Sequence, residues 1–404
     1  MDDQESRQTG GLALNGLSQR VLNGRRLLEY AWSGEPMTAT ELMEGTGLTR
    51  ATVLSLCRDL VEAGWLRKVA DARAAGRYVK GRPALRHAFC PEAAYVVGCD
   101  ADEDVFTAVV ADLHGEELAR VRREVRALRD PGLRREELEA LVDAALAAAG
   151  VAGERVAAVV IGVPAPVDLQ GASPPPDDDA HYWSIANPGY ADMFQDRGWM
   201  VRLDNDANLG ALYEAADGAG VGARSFAVLL AAERFGAGIV VDGALLRGTR
   251  GRVGELRVLD MVSGVDAPHG LGRRTRWEIQ RMADDGLLAS ELAELPPEDW
   301  GAEALLEAAT RGDPVALEIV DRLARRLAPV VTLLTGLLDL DRIVLAGPFA
   351  ASAEPLLSRT REILEASVVF RCPELVASTA GGDVVLRGAV SRAVDVVRER
   401  ALLD

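Results

Sequence analysis

The first ninety residues alternate short apolar stripes with helix-capping and turn residues. From Gln19, apolar residues recur at the spacing of one helix face: Val21, Leu22, Leu27, Leu28 and Ala31. Thr38 and Glu41 form a capping-box pattern, in which each side chain can bond the backbone amide of the other residue. This pattern predicts a short helix that begins there and is stopped by Gly45 and Gly47.

A second, longer helix is predicted directly after this turn. Thr49 is its N-cap, and the helix runs from Arg50 to about Ala63. Its apolar stripe consists of Val53, Leu56, Cys57 and Leu60. Its outer face carries polar side chains that can bond bases or phosphates: Arg50, Thr52, Ser55 and Arg58. A short helix, a tight turn and a capped helix with a polar outer face are typical of a helix-turn-helix.

A basic loop between two strand-like segments completes this module. The strands are predicted at Trp65–Val69 and Leu85–Cys90, and the loop DARAAGRYVKGRPA between them is typical of a wing. We predict that the DNA contacts are Thr38, Thr49, Arg50, Thr52, Ser55, Arg58, Lys80 and Arg82. The alternative is a three-helix packing module that binds no DNA.

The pattern changes after residue 93 to strands that alternate with helices. A hairpin is predicted at Tyr95–Asp100 and Val105–Leu113. Further strands are predicted at Val156–Ile161, Met200–Leu203, Phe226–Leu230, Gly238–Val241 and Arg342–Ala346, and long helices at Glu136–Ala149 and Pro314–Leu338. This order predicts an α/β domain with a mixed sheet. The Pro/Asp-rich segment Gly171–Ala180 is predicted to be a mobile surface insert.

Charge and composition sharpen this division of the chain. The net charge is −17 over 404 residues, yet residues 1–90 carry +3 and the remainder −20. A mildly basic module on an acidic body is typical of a DNA-binding domain that is joined to a separate effector-binding domain. We therefore divide the chain into a flexible arm (1–17), a winged helix-turn-helix (18–92) and an effector-binding and oligomerisation domain (93–404). No apolar run is long enough to span a membrane, and four scattered cysteines suit the reducing cytoplasm.

Several segments of the body resemble the ROK family of repressors, open reading frames and sugar kinases. The segment Asn205-Asp-Ala-Asn208, followed by an alanine and Glu214, resembles the family's N-D-A-N motif. Gly162–Asp168, Gly236–Gly243 and Gly251–Glu255 resemble three further motifs in the same order. The resemblance implies a two-lobed, actin-like (ribonuclease-H-like) domain and, with the module before it, the family's winged-helix repressor branch.

The chain departs from the family's kinases at both phosphate turns. The D-x-G-x-T-K hairpin is replaced by Asp100-Ala-Asp-Glu-Asp-Val105, and the second phosphate turn by Ala232–Gly236. Carboxylates beside a triphosphate repel it, so these replacements oppose ATP binding. Asp206 does stand at the position of the family's general base. We therefore predict no enzymatic activity and no cofactor, with a sugar kinase carrying a DNA-binding domain as the alternative.

The resemblance also implies a zinc site, which this chain lacks. Val258 stands at the place of the histidine ligand, and His269, Leu271 and Arg276 stand at the places of the cysteines. One weak ligand of four cannot hold a structural zinc. The prediction is therefore that no metal is bound.

The family's sugar-binding positions are partly retained. The resemblance implies effector contacts from Asn187, Asn205, Asp206, Glu255 and Glu278. Carboxylates suit this task because each accepts several hydroxyl donors. We predict a cytoplasmic regulator, in the first instance a repressor, that responds to a sugar or a related small effector. A homodimer or homotetramer would bind an inverted-repeat operator. The alternative is a regulator that no longer binds sugar.

Overall fold

The computed structural model describes residues 19–69, 85–126, 128–174, 181–265, 267–367 and 372–401. The predicted arm, the wing with Lys80 and Arg82, and residues 175–180 of the Pro/Asp-rich insert lie outside these ranges. Within the described ranges, no helix combines the length and apolar character needed to cross a membrane.

The amino-terminal module consists of three helices and a small antiparallel sheet. The helices are α1 (residues 19–31), α2 (Ala39–Thr46) and α3 (Arg50–Glu62), and the strands are β1 (Met37–Thr38), β2 (Leu66–Val69) and β3 (Arg86–Phe89). The sheet order is β1-β3-β2. The predicted helix-turn-helix is confirmed, and its turn contains Gly47 at φ 67°, a left-handed conformation that glycine adopts without strain.

The first lobe of the body is a five-stranded mixed sheet. Its strands are β4 (Tyr95–Ala101), β5 (Val105–Asp112), β6 (Glu117–Glu124), β7 (Val156–Val163) and β8 (Met200–Asn205). Helix α4 (Pro131–Ala149) connects β6 to β7, and the short helix α5 (His181–Ala186) precedes β8. The sheet order is β6-β5-β4-β7-β8, with antiparallel pairs on the β6 side and parallel pairs on the β8 side.

The second lobe repeats this topology. Helix α6 (Asp206–Asp217) leads into strands β9 (Phe226–Leu230), β10 (Gly236–Val241), β11 (Ala244–Leu245), β12 (Arg342–Ala346) and β13 (Glu374–Ala377). Helices α7 (Leu271–Asp284), α8 (Ala302–Thr310), α9 (Pro314–Leu338) and α10 (Glu354–Ser367) surround the sheet. The order β11-β10-β9-β12-β13 matches the first lobe strand for strand. Two lobes of one topology confirm the actin-like fold.

A final helix, α11 (Val384–Arg400), packs on α6 at the centre of the body. The contact is close: a Cβ atom on Gly388 would lie 2.0 Å from the carbonyl oxygen of Leu209, so only glycine fits. Because ligands of open α/β sheets bind beyond the carboxyl ends of parallel strands, the end of β8 marks the edge of the functional cleft.

The amino-terminal module rests on the body through an aromatic cluster. Trp32 stacks on Phe89 with ring centres 4.3 Å apart, and Phe89 lies 5.4 Å from the ring of His114 in the body. The imidazole Nε2 of His114 lies 3.0 Å from the Trp32 carbonyl oxygen. Arg398, near the end of α11, lies over the Trp32 ring. These contacts join the module to the body's central core.

Candidate effector cleft and DNA-binding surface

The cleft between the lobes encloses a cavity of about 240 Å³. The end of β4 and the β4–β5 turn contribute four carboxylates to its lining: Asp100, Asp102, Glu103 and Asp104. The β9–β10 turn, Ala232–Phe235, lines it from the other lobe. Both altered phosphate turns therefore face one cavity. Of the five predicted effector residues, the structure brings Asn205, Asp206 and Glu255 to this cavity.

The junction of β8 and α6 fixes the first two of these residues. Asn205 is the N-cap of α6, and its side-chain oxygen accepts from the Asn208 amide at 3.1 Å. Its side-chain nitrogen donates to the Ala165 carbonyl at 3.2 Å. The carboxylate of Asp206, the first residue of the helix, accepts from the Ala207 amide at 2.7 Å. Helix capping thus dictates where Asp206 enters the cleft.

The carboxylates in the cleft perturb one another. Burial raises the pKa of Asp206 to about 8, and the charges of Glu255 and Asp102 add to the rise. Burial, followed by the charges of Asp102 and Asp206, holds the pKa of Asp100 well above its ordinary value. Burial also raises the pKa of Glu255, against the opposing charges of Arg234 and two other arginines. Such shifts are typical of functional clefts.

The β4–β5 turn is built around acidic groups that cannot cradle a phosphate. Its backbone is held from behind by the buried Arg134, which donates to the carbonyls of Asp102 at 2.7 Å and Glu103 at 3.1 Å. The Glu103 carboxylate pairs with Arg129 at 2.7 Å. These arginines stabilise the acidic turn without presenting a positive charge to the cavity, whose lining includes neither of them.

Two predicted effector residues lie away from the cavity. Glu278 is buried on α7 and forms ion pairs with Arg274 at 3.0 Å, Arg281 at 2.7 Å and Arg322 at 3.0 Å. Asn187 is buried too, and its side-chain nitrogen donates to the Ser173 hydroxyl at 2.9 Å. Neither lines the cavity, so the structure separates them from the other three.

The positions of the family's zinc ligands carry other interactions. Val258 is half-exposed, Leu271 lies in the core of the second lobe, and Arg276 forms an ion pair with Glu233. The His269 ring packs edge-on against Trp277 at 4.8 Å. Throughout the ranges that the structure describes, no cluster of three His, Cys, Asp or Glu side chains could hold a metal.

Five of the eight predicted DNA-binding residues lie on α3 and its N-cap: Thr49, Arg50, Thr52, Ser55 and Arg58. Thr38 and Thr49 act as N-caps: their hydroxyls accept from the amides of Glu41 at 3.2 Å and Thr52 at 3.4 Å. Arg50 is exposed at the start of α3, and no ion-pair partner lies near it in the described part of the chain. An unpaired guanidinium at the amino end of the second helix suits base contact.

A basic residue that was not predicted from the sequence lies beside α3. Arg20 of α1 donates to the Ser55 hydroxyl at 3.1 Å and forms an ion pair with Asp59, which also lies 3.7 Å from Arg58. Nothing in the sequence pattern indicated a role for Arg20, because a lone arginine on a predicted helix is typical of an ordinary surface charge. Ser55 and Arg58 are thereby engaged within the module, whereas Arg50 is not.

The duplicated lobes, the cleft between them and the helix-turn-helix define an actin-like protein with an amino-terminal helix-turn-helix module. The chain belongs to the ROK family, which it matches over residues 96–395. Residues 27–70 match the IclR helix-turn-helix domain.

Similar proteins include both regulators and kinases. A crystal structure of a ROK family transcriptional regulator, a homologue of the E. coli MLC protein, aligns with a TM-score of 0.70 at 19% identity, covering 95% of this chain and 98% of that one. The transcriptional dual regulator NagC of Escherichia coli is 22% identical over 80% of this chain and 79% of its own length. A glucokinase of Halalkalibacterium halodurans is 30% identical over 46% of this chain.

The alignment with this glucokinase covers a smaller share of the present chain than the alignment with NagC does. The match spans 62% of that glucokinase's length, less than two thirds. The matches to the regulators NagC and the MLC homologue cover most of both chains.

Proposed function

We propose that this protein is a DNA-binding transcriptional regulator, in the first instance a repressor, whose ROK domain binds a small effector in the cleft. The observation that carries the proposal is the pairing of two features in one chain. An exposed Arg50 stands on the outer face of a capped second helix, and the cleft presents carboxylates where a kinase needs phosphate-binding turns. Titration of the full chain against DNA that carries its binding sequence tests the proposal.

The effector is a neutral polyhydroxylated molecule of monosaccharide size. The cavity of about 240 Å³ lies below the ~300–1,000 Å³ typical of sites for larger ligands. Asp206 and Glu255 offer acceptors for hydroxyl groups, whereas the acidic turn opposes phosphorylated ligands. In this account Asn205, Asp206 and Glu255 bind the effector directly. Asn187 and Glu278 would join them only after rearrangement of their own partners.

The alternative function, a sugar kinase, rests on Asp206 at the position of the general base. We expect no phosphorylation of glucose, N-acetylglucosamine, mannose or xylose with ATP, because Asp102 and Asp104 repel the triphosphate. A coupled ADP-release assay with magnesium measures this. Turnover above background that disappears in the Asp206→Asn variant would establish the kinase and refute the expectation.

The regulator is proposed to act in the cytoplasm as a symmetric oligomer. One helix-turn-helix reads few bases, so useful specificity requires two copies on one site. The body provides the surface for self-association, since residues 1–90 show no heptad seam. The operator is accordingly an inverted repeat.

A further inference from the structure

Two arginines of the second lobe lie on consecutive aromatic rings of the first lobe. The Arg234 guanidinium carbon lies 4.6 Å from the centre of the Tyr182 ring, and that of Arg252 lies 5.3 Å from the Trp183 ring. Both rings belong to the six-residue helix α5 and pack on the core of the first lobe. Each stack therefore crosses the cleft.

These stacks lie at the rim of the effector cavity. Tyr182, Trp183 and Arg234 line the cavity. Arg234 and Arg252 also lie close enough to Glu255 for their positive charges to oppose the rise that burial causes in its pKa. Arg234 occupies the β9–β10 turn, where a kinase places a small-residue phosphate turn. At this position the long cationic side chain of Arg234 instead reaches across the cleft to α5.

The loop that carries Arg252 reaches the first lobe at two other points. Arg247 forms an ion pair with the buried Asp204 at the end of β8. Gly251 adopts φ 65°, and a Cβ atom there would lie 2.0 Å from the carbonyl oxygen of Val167. The loop is thus built for close contact with the first lobe, and only glycine permits that approach.

From this geometry we infer that Arg234 and Arg252 form a clasp that holds α5 closed over the effector cavity and gates access to it. We call the pairs Arg234–Tyr182 and Arg252–Trp183 the arginine clasp. In this chain the two arginines supply contacts between the lobes without a bound nucleotide. Stacks of a cation on an aromatic ring are individually weak, which lets the clasp open for ligand entry.

Chemical access to the cavity tests the clasp without DNA or sugar, so its outcome is independent of the proposed function. Leu230 lines the cavity, and a Leu230→Cys substitution introduces a thiol there. The rate of N-ethylmaleimide modification at this position is followed by peptide mass spectrometry, which separates it from the four native cysteines. Hydrogen exchange of residues 181–186 in the full chain gives a second readout.

Removing the clasp should open the cavity. In the Arg234→Ala/Arg252→Ala double variant, we expect modification of the introduced cysteine and exchange of α5 to accelerate about tenfold, with smaller increases in each single variant. Arg224→Ala is the matched control, since Arg224 lies in the same lobe, is exposed and forms an ion pair with the exposed Asp242 at 3.1 Å. The control should leave both rates unchanged.

Unchanged modification and exchange rates would contradict the clasp. Rates within twofold of the parent in the folded double variant would overturn the clasp. Circular dichroism and the exchange of α9 report whether the variants are folded. Should the double variant fail to fold, the single variants and Arg234→Lys decide: the clasp requires faster modification in Arg234→Ala than in Arg234→Lys, and equal rates would refute it.

Discussion

Replacing Arg50 by alanine is expected to weaken operator binding by roughly 1–3 kcal/mol and to relax base preference at one position of each half-site. Arg50 is exposed at the start of α3, at the border of the buried stripe of Val53, Leu56 and Leu60. Because a guanidinium can donate two parallel hydrogen bonds to guanine, its loss removes both affinity and discrimination. Gel-shift titrations against the operator and single-base variants measure both quantities.

Two further arginines serve as controls for this result. Arg58→Ala should have a smaller effect, because Arg58 already lies 3.7 Å from Asp59. Arg82→Ala, in the predicted wing, should weaken binding to all DNA sequences alike. It should also lower the slope of log binding constant against log salt concentration by about one. If Arg50→Ala left affinity and base preference unchanged in a folded protein, the recognition-helix assignment would be wrong.

Replacing Asp206 or Glu255 by alanine is expected to abolish the response to effector while DNA binding persists. Each substitution removes an acceptor from the cavity and leaves ligand hydroxyls unpaired, at about 1–3 kcal/mol per lost interaction. A thermal-shift screen with glucose, N-acetylglucosamine and xylose identifies a responsive probe, and operator titration with that probe measures the response. Asp217→Ala, at the exposed end of the same helix α6, is the matched control. An unchanged response in both cavity variants would contradict the assignment.

The pH dependence of stability gives an independent readout of Asp206. The pKa of Asp206 is raised to about 8 in the folded protein, whereas in the unfolded chain it is ~4. Between these two pH values the folded protein keeps a proton that the unfolded chain has lost. Stability therefore falls as the pH rises from ~4 to ~8, and this contribution is absent in Asp206→Asn. The variant should melt at a higher temperature than the parent at pH 8, with the difference shrinking towards pH 5.

Local capping chemistry made much of the amino-terminal module predictable. Thr38 and Glu41 form the expected reciprocal bonds, and Thr49 begins α3 where its sequence position indicates. Such signals involve residues three apart, so the chain alone specifies them. Helix α9 was predictable too, since its bounds Pro314–Leu338 coincide with those of the predicted helix.

Long-range pairings were harder to predict. Strand β6 escaped notice because it is an edge strand with mostly charged residues, and no apolar alternation marks it. The resemblance grouped Glu278 with the sugar-binding residues, yet three arginines from two helices surround it. A motif alignment shows that a glutamate stands at position 278. It does not show which side chains pair with the Glu278 carboxylate, because those partners come together only in the folded protein. The arginine clasp is likewise invisible in sequence, since Arg234 and Tyr182 are far apart along the chain.

Selection of sequences from random double-stranded DNA by the full chain tests the central claim most directly. We expect enrichment of an inverted repeat whose half-site centres lie about 10 bp apart, or a multiple of that distance. We also expect loss of one conserved base per half-site with Arg50→Ala. A folded, full-length protein that enriched no sequence above the starting pool would contradict the conclusion that this is a DNA-binding regulator.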